Sequence, residues 1–345
     1  MNTQMNDFSV GMNAQGGGGR INYLDAIKCL GILLVIEGHV RIFGMGIETY
    51  DTLSGLMLYS FNMPLFFFVS GFLAYKEKYS IGDTFKKIWT KFVYLVIPAV
   101  VFYVFRALKD GNSPLDLFSM GAGGYWFTIT LWECFLLYYV ISLIIKNHTL
   151  RDIVLVLVAL AGVGFLSVFG DWGPKLLDLN RLTKYFQFFV IGVLAMKYKH
   201  TFIQLSHCDW LKAMVIVAFF ALLFTINCDF WPRPAFHLMR DVVLRYLGTF
   251  AIISWFVCHS DSFNSDSRFN RCVLDIGKKS LPIYLIQYFF LPDFLPFTSF
   301  VEGLNGMTMH LVSFVFAFVI LVVCYVFIAL LSNSKIIKRY VLGMK

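Results

Sequence analysis

The chain has 345 residues, 58% of them hydrophobic and only 14% charged, with a net charge of +8. A soluble domain carries about 25% charged residues, so a water-soluble fold and a disordered chain are both excluded. The 38 Phe and 17 Tyr sit in long apolar runs, which is the composition of a polytopic membrane protein. The basic residues are scattered between those runs rather than gathered on one face; this suits membrane orientation and not nucleic-acid binding.

Residues 1–20 are rich in Asn, Gln and Gly and end in Gly16-Gly17-Gly18-Gly19-Arg20. They hold no apolar stretch of the signal-peptide kind, so a flexible cytoplasmic tail is expected. Ten apolar segments follow, with cores near 24–43, 57–75, 92–106, 125–145, 153–169, 182–196, 211–228, 242–258, 276–292 and 309–331. The runs are continuously apolar rather than alternating, which argues for helices and against a barrel. The expected fold is a single all-α membrane domain over residues 21–334, with about ten transmembrane helices and a basic cytoplasmic tail at 335–345. Alternating these spans from a cytoplasmic N-terminus puts 20 Lys and Arg residues on one side and 9 on the other, so both termini are expected in the cytoplasm. The seven Cys show no C-x-x-C and no Cys/His ligand spacing, so they read as packing thiols, and no metal site is expected.

The first span is unusual. It carries Asp25, Lys28, Glu37 and His39, and the fourth span carries Glu133. A charge at the bilayer centre costs about 2.5–3.5 kcal/mol, so such residues are functional candidates. Lys28 and His39 are eleven residues apart, which on a helix returns to within about 20° of the same face and separates them by about 16 Å along the axis. Asp25 is one turn before Lys28 and can pair with it. Taken singly, Lys28 reads as a snorkelling lysine and His39 as a satisfied interfacial histidine. Taken together they form one stripe, along which a long polar substrate with a phosphate end and a reactive end could lie.

These residues also carry a resemblance. Lys28-x10-His39, the segment Phe61-Asn62-Met63-Pro64-Leu65-Phe66-Phe67 with Ser70-Gly71-Phe72, Tyr125-Trp126-Phe127, and Gly277-Lys278-Lys279-Ser280-Leu281-Pro282-Ile283-Tyr284-Leu285 resemble motifs of the acyltransferase-3 family of integral membrane acyltransferases, over about residues 21–330. They look most like its fucose 4-O-acetylase-like, polysaccharide-modifying branch. The chain departs from the pattern at Asn62 and Gln287, where members often carry His, at Lys28, where many carry Arg, and at Glu37, where an apolar residue is common.

The resemblance implies transfer of an acyl group, usually acetyl, from cytoplasmic acyl-CoA to a hydroxyl of a cell-envelope glycan or lipid-linked saccharide, in a bacterial plasma membrane. Acetyl-CoA is then a donor substrate and not a resident cofactor. Lys28 with Asp25, helped by Lys87 and Lys91 of the basic loop, is expected to hold the donor's phosphates as point charges. His39 suits a general base near neutral pH. Glu133 is the first choice for a carboxylate that orients it, and Glu37 the second. Asn62, Trp126, Tyr284 and Gln287 are candidate substrate-binding residues. Inter-helix hydrogen bonding explains the polar stripe of Ser280, Tyr284 and Gln287 equally well, and an interfacial belt explains Trp126. Ser70-Gly71 reads as close helix packing. The competing class is an exporter of a glycan or acyl group without chemistry, which would also use buried ionisable groups.

Overall fold

A computed structural model describes residues 20–47, 53–117, 123–169, 179–227, 234–294 and 306–344; the expected tail at 1–20 lies outside them except for Arg20. The helices are α1 (Asn22–His39), α2 (Leu53–Ala74), α3 (Ile81–Lys109, with a π-helical turn at Phe92–Val96), α4 (Trp126–Ile144), α5 (His148–Phe169), α6 (Leu179–Lys197), α7 (Lys199–His207), α8 (Asp209–Leu223), α9 (Pro234–Cys258), α10 (Arg268–Lys278), α11 (Ser280–Ile286) and α12 (Gly306–Leu331). No strand occurs among the described residues.

A helix underlies each of the ten apolar segments. By length and composition, five reach across a membrane: Leu53–Ala74, Ile81–Lys109, Gly123–Ile144, Met239–Cys258 and Thr308–Leu331. A sixth is added if α7 and α8, bent by 72° to one another, form one span. The first segment falls outside this set because Asp25, Lys28 and Glu37 interrupt it. The ninth segment, expected as one span over 276–292, is instead broken: α10 ends at Lys278, α11 runs only to Ile286, and a 3₁₀ turn follows over Gln287–Phe289.

α1 sits in the middle of the bundle and packs on α2, α9, α10, α11 and α12. That enclosure keeps Asp25 and Glu37 buried and leaves polar chemistry along a helix that lipid alone could not hold. α2 and α6 approach most closely. A Cβ on Gly71 would overlap the Phe189 carbonyl, and one on Gly192 would overlap the Phe68 carbonyl, so the two backbones touch. α12 turns Leu311, Val315, Phe318 and Leu330 outward, which is an apolar face suited to lipid. Cys134 and Cys324 are buried free thiols.

Candidate active site

Two cavities open along α1. The first, of about 570 Å³, is lined by Asp25, Lys28, Ile32 and Val35 of α1, by Lys91 of α3 and by Lys278 of α10, over otherwise apolar walls. The second, of about 850 Å³, is lined by Val35, His39 and Phe43, by Asn62 of α2, by Arg106 of α3, by Trp126, and by Tyr284 and Tyr288. Val35, Met63 and Tyr284 line both, so they form the wall between them. Lys28, Ile32, Val35 and His39 follow one another at spacings of four, three and four residues, which is one helical face. The stripe read from the spacing is therefore the face of α1 that lines both cavities.

At the Lys28 end the polar groups are paired. Lys28 Nζ is 2.5 Å from Asp25 Oδ1, and Arg20 bonds the same carboxylate. α10 lays Gly277 against the Asp25 carbonyl, which brings Lys278 into the cavity wall. Lys91 Nζ lies 4.0 Å from the Phe135 ring centroid. Lys87 does not line this cavity; its ammonium stands over the Tyr79 and Tyr139 rings, at 5.7 and 5.5 Å.

At the other end, α1 passes directly into a π-helical turn, Val40–Gly44. Such turns recur at functional sites. This one places the Phe43 ring edge-on to the imidazole, with centroids 5.4 Å apart. His39 Nε2 lies 3.3 Å from the Tyr288 hydroxyl. That hydroxyl is 2.7 Å from the Gly124 carbonyl, which the Tyr284 hydroxyl also reaches. Gly124 O thus has a donor in Tyr284 whichever way the Tyr288 proton turns. The buried Gln287 side chain lies near the imidazole and donates through Nε2 to the Tyr284 carbonyl at 3.1 Å. His39 Nδ1 and Gln287 Oε1 are both buried, and neither has a hydrogen-bond partner among the described residues. A hydrogen bond from Nδ1–H to that oxygen would satisfy both atoms, where leaving either unmet costs about 1–3 kcal/mol. This arrangement leaves the Nε2 lone pair for the chamber.

The hydrogen-bond partner of His39 is the Tyr288 hydroxyl, and neither expected carboxylate meets the ring. Glu133 is buried, seven residues beyond Trp126 on α4 and so about 10 Å farther along the axis, and it lines neither cavity. Glu37 faces α12, where Ser313 donates to it at 2.8 Å and His310 Nδ1 is 3.4 Å away. Asn62 lines the chamber, with its Oδ1 accepting from the Met63 amide at 2.6 Å. Trp126 also lines it, stacked on Tyr185 with the Arg181 guanidinium 4.6 Å from its ring.

Sequence reasoning missed Lys278, Tyr288 and Arg106. Arg106 lies over the Tyr288 ring at 5.0 Å and pairs with Asp110. Lys278 and Arg106 carried only topological weight in the charge count. Tyr288 is one turn beyond Tyr284 on the polar stripe, which was the available signal.

A profile of the acyltransferase 3 family, an acyltransferase domain, matches residues 21–329. The chain belongs to that family. The match takes in both cavities except Arg20, Gly343 and Met344 of the first one. No curated protein and no solved structure matches the chain significantly. The family, with the apolar helices, makes this a multi-pass membrane acyltransferase.

Proposed function

We propose that this acyltransferase is an O-acetyltransferase that passes an acetyl group from acetyl-CoA, held in the Lys28 cavity, to a hydroxyl of a cell-envelope glycan or lipid-linked saccharide in the His39 chamber. One observation carries the reading: a basic-rimmed cavity and a histidine-bearing chamber meet at a thin wall on one face of α1. Lys28, Lys91 and Lys278 suit the phosphates of CoA, and the apolar depth of the cavity suits an extended pantetheine arm.

The chemistry balances with this chain's own groups. His39 Nε2 takes the proton of the acceptor hydroxyl as its oxygen attacks the thioester carbonyl. Tyr284 forms part of the wall beside that carbonyl, its own proton held by Gly124 O. The tetrahedral intermediate expels the CoA thiolate, the imidazolium returns the proton to sulfur, and an acetyl ester remains on the sugar. Gln287 holds Nδ1–H throughout. Trp126 and Asn62 offer a stacking face and an amide to the sugar. The charge split favours a Lys28 end facing the cytoplasm, where acetyl-CoA is available, and the reading sets the protein in a bacterial plasma membrane.

The test is purified protein with labelled acetyl-CoA and a panel of glycan acceptors. Labelled ester supports the reading. Glycan movement across a vesicle without ester, for every acceptor, would replace it with export.

A further inference from the structure

The sequence reads residues 335–345 as a basic cytoplasmic tail, and the family match ends before them, at residue 329. The structure packs this segment instead. Ile337–Val341 forms a π-helical turn against α3, with the Arg339 guanidinium 6.0 Å from the Tyr94 ring. Leu342 is 0% exposed. The turn is closed by Leu342 N donating to Ile337 O and Met344 N to Lys338 O, each at 2.9 Å. Gly343 has φ +62°, a left-handed conformation that side chains resist, and a Cβ there would overlap the Tyr94 carbonyl and press on Leu281. Gly343 and Met344 then line the Lys28 cavity, between Leu95 of α3 and Leu281 of α11.

We propose that this segment is a strap that completes the donor site: Gly343 lets it seat, and Met344 forms a wall against the pantetheine arm. The inference rests on the Lys28 cavity being the donor site. The cavity needs a cover beside α3 and α11, and the strap brings Gly343 and Met344 to that wall.

The experiment measures acetyl-CoA binding to the purified full chain, together with tryptic cleavage at Lys338 and Arg339. The parent should bind, and acetyl-CoA should slow that cleavage. Gly343→Val should unseat the strap, speed cleavage and weaken binding by about tenfold, or about 1.4 kcal/mol. Met344→Ala keeps the backbone seated, so it should weaken binding about threefold with cleavage unchanged, and it decides the matter if Gly343→Val does not fold. If Lys28→Ala weakens binding while both strap variants bind as the parent does, the strap is overturned and the donor reading stands. If the parent binds no acetyl-CoA, or Lys28→Ala binds as tightly as the parent, the donor reading falls and the strap falls with it.

Discussion

His39 Nε2 and the Tyr288 hydroxyl lie 3.3 Å apart, although 249 residues separate them in sequence. The contact exists because the helix after Lys279 is short. α11 ends at Ile286, and the 3₁₀ turn that follows delivers both Gln287 and Tyr288 to the imidazole. Tyr288 meets Nε2, and Gln287 Oε1 is the buried acceptor without a partner that Nδ1–H would use, so the ring needs no carboxylate to orient it.

This arrangement makes Gln287 a positioning residue. Gln287→Leu removes the amide oxygen proposed to accept from Nδ1–H and should lower kcat by about tenfold to a hundredfold, within the range lost when a base is mispositioned. KM for acetyl-CoA should stay unchanged, because Gln287 is absent from the Lys28 cavity. A rise in donor KM with kcat intact would show that Gln287 acts on binding instead.

Lys28 should act through charge. Lys28→Arg keeps a cation beside Asp25 and should retain most activity, whereas Lys28→Ala also leaves buried Asp25 with one fewer partner. Lys278→Ala, which disturbs no carboxylate pair in the cavity, should raise donor KM several-fold. Titration of purified variants with acetyl-CoA measures both effects, and equal affinity in all of them contradicts the phosphate role.

Topology follows from the charge split. Reporter fusions after Lys78 and Lys199 should report cytoplasm, and fusions near Lys175 and Asp293 the outer side, for ten spans with both ends inside. An outward C-terminal reporter would mean an odd number of crossings.

Gly71 carries the α2–α6 contact, since a Cβ there meets the Phe189 backbone. Gly71→Ala should therefore destabilise the bundle by about 1–3 kcal/mol, the usual cost of overpacking, and lower its midpoint of thermal aggregation in detergent. Gly82→Ala, where a Cβ meets nothing within 4 Å, is the control and should leave the midpoint in place. Equal midpoints would remove Gly71 from the account of packing.

Much of this was legible in the sequence, for identifiable reasons. Helical periodicity alone put Lys28 and His39 on one face, because both lie on one unbroken helix. Composition gave the membrane class, and the tight approach at Gly71 was readable from Ser70-Gly71 inside an apolar run. The partner of His39 was not readable. It comes from a distant segment whose helix breaks at Lys279, and periodicity says nothing of which helices become neighbours. Glu133 drew attention as a buried carboxylate, yet depth along α4 separates it from the chamber. The strap was hidden for the opposite reason: Lys335, Lys338 and Arg339 make the segment look solvated, while Leu342, Gly343 and Met344 do the packing.

The most direct measurement of the central claim is ester formation by His39→Ala, with labelled acetyl-CoA and a glycan acceptor that the parent uses. A positioned base contributes about 10²–10⁴-fold, so the account predicts a loss of that order with acetyl-CoA binding retained. His39→Gln, which can hydrogen-bond but cannot take the proton, should be nearly as inactive. Ester formation by His39→Ala at the parent's rate would contradict the assignment of His39 as the base.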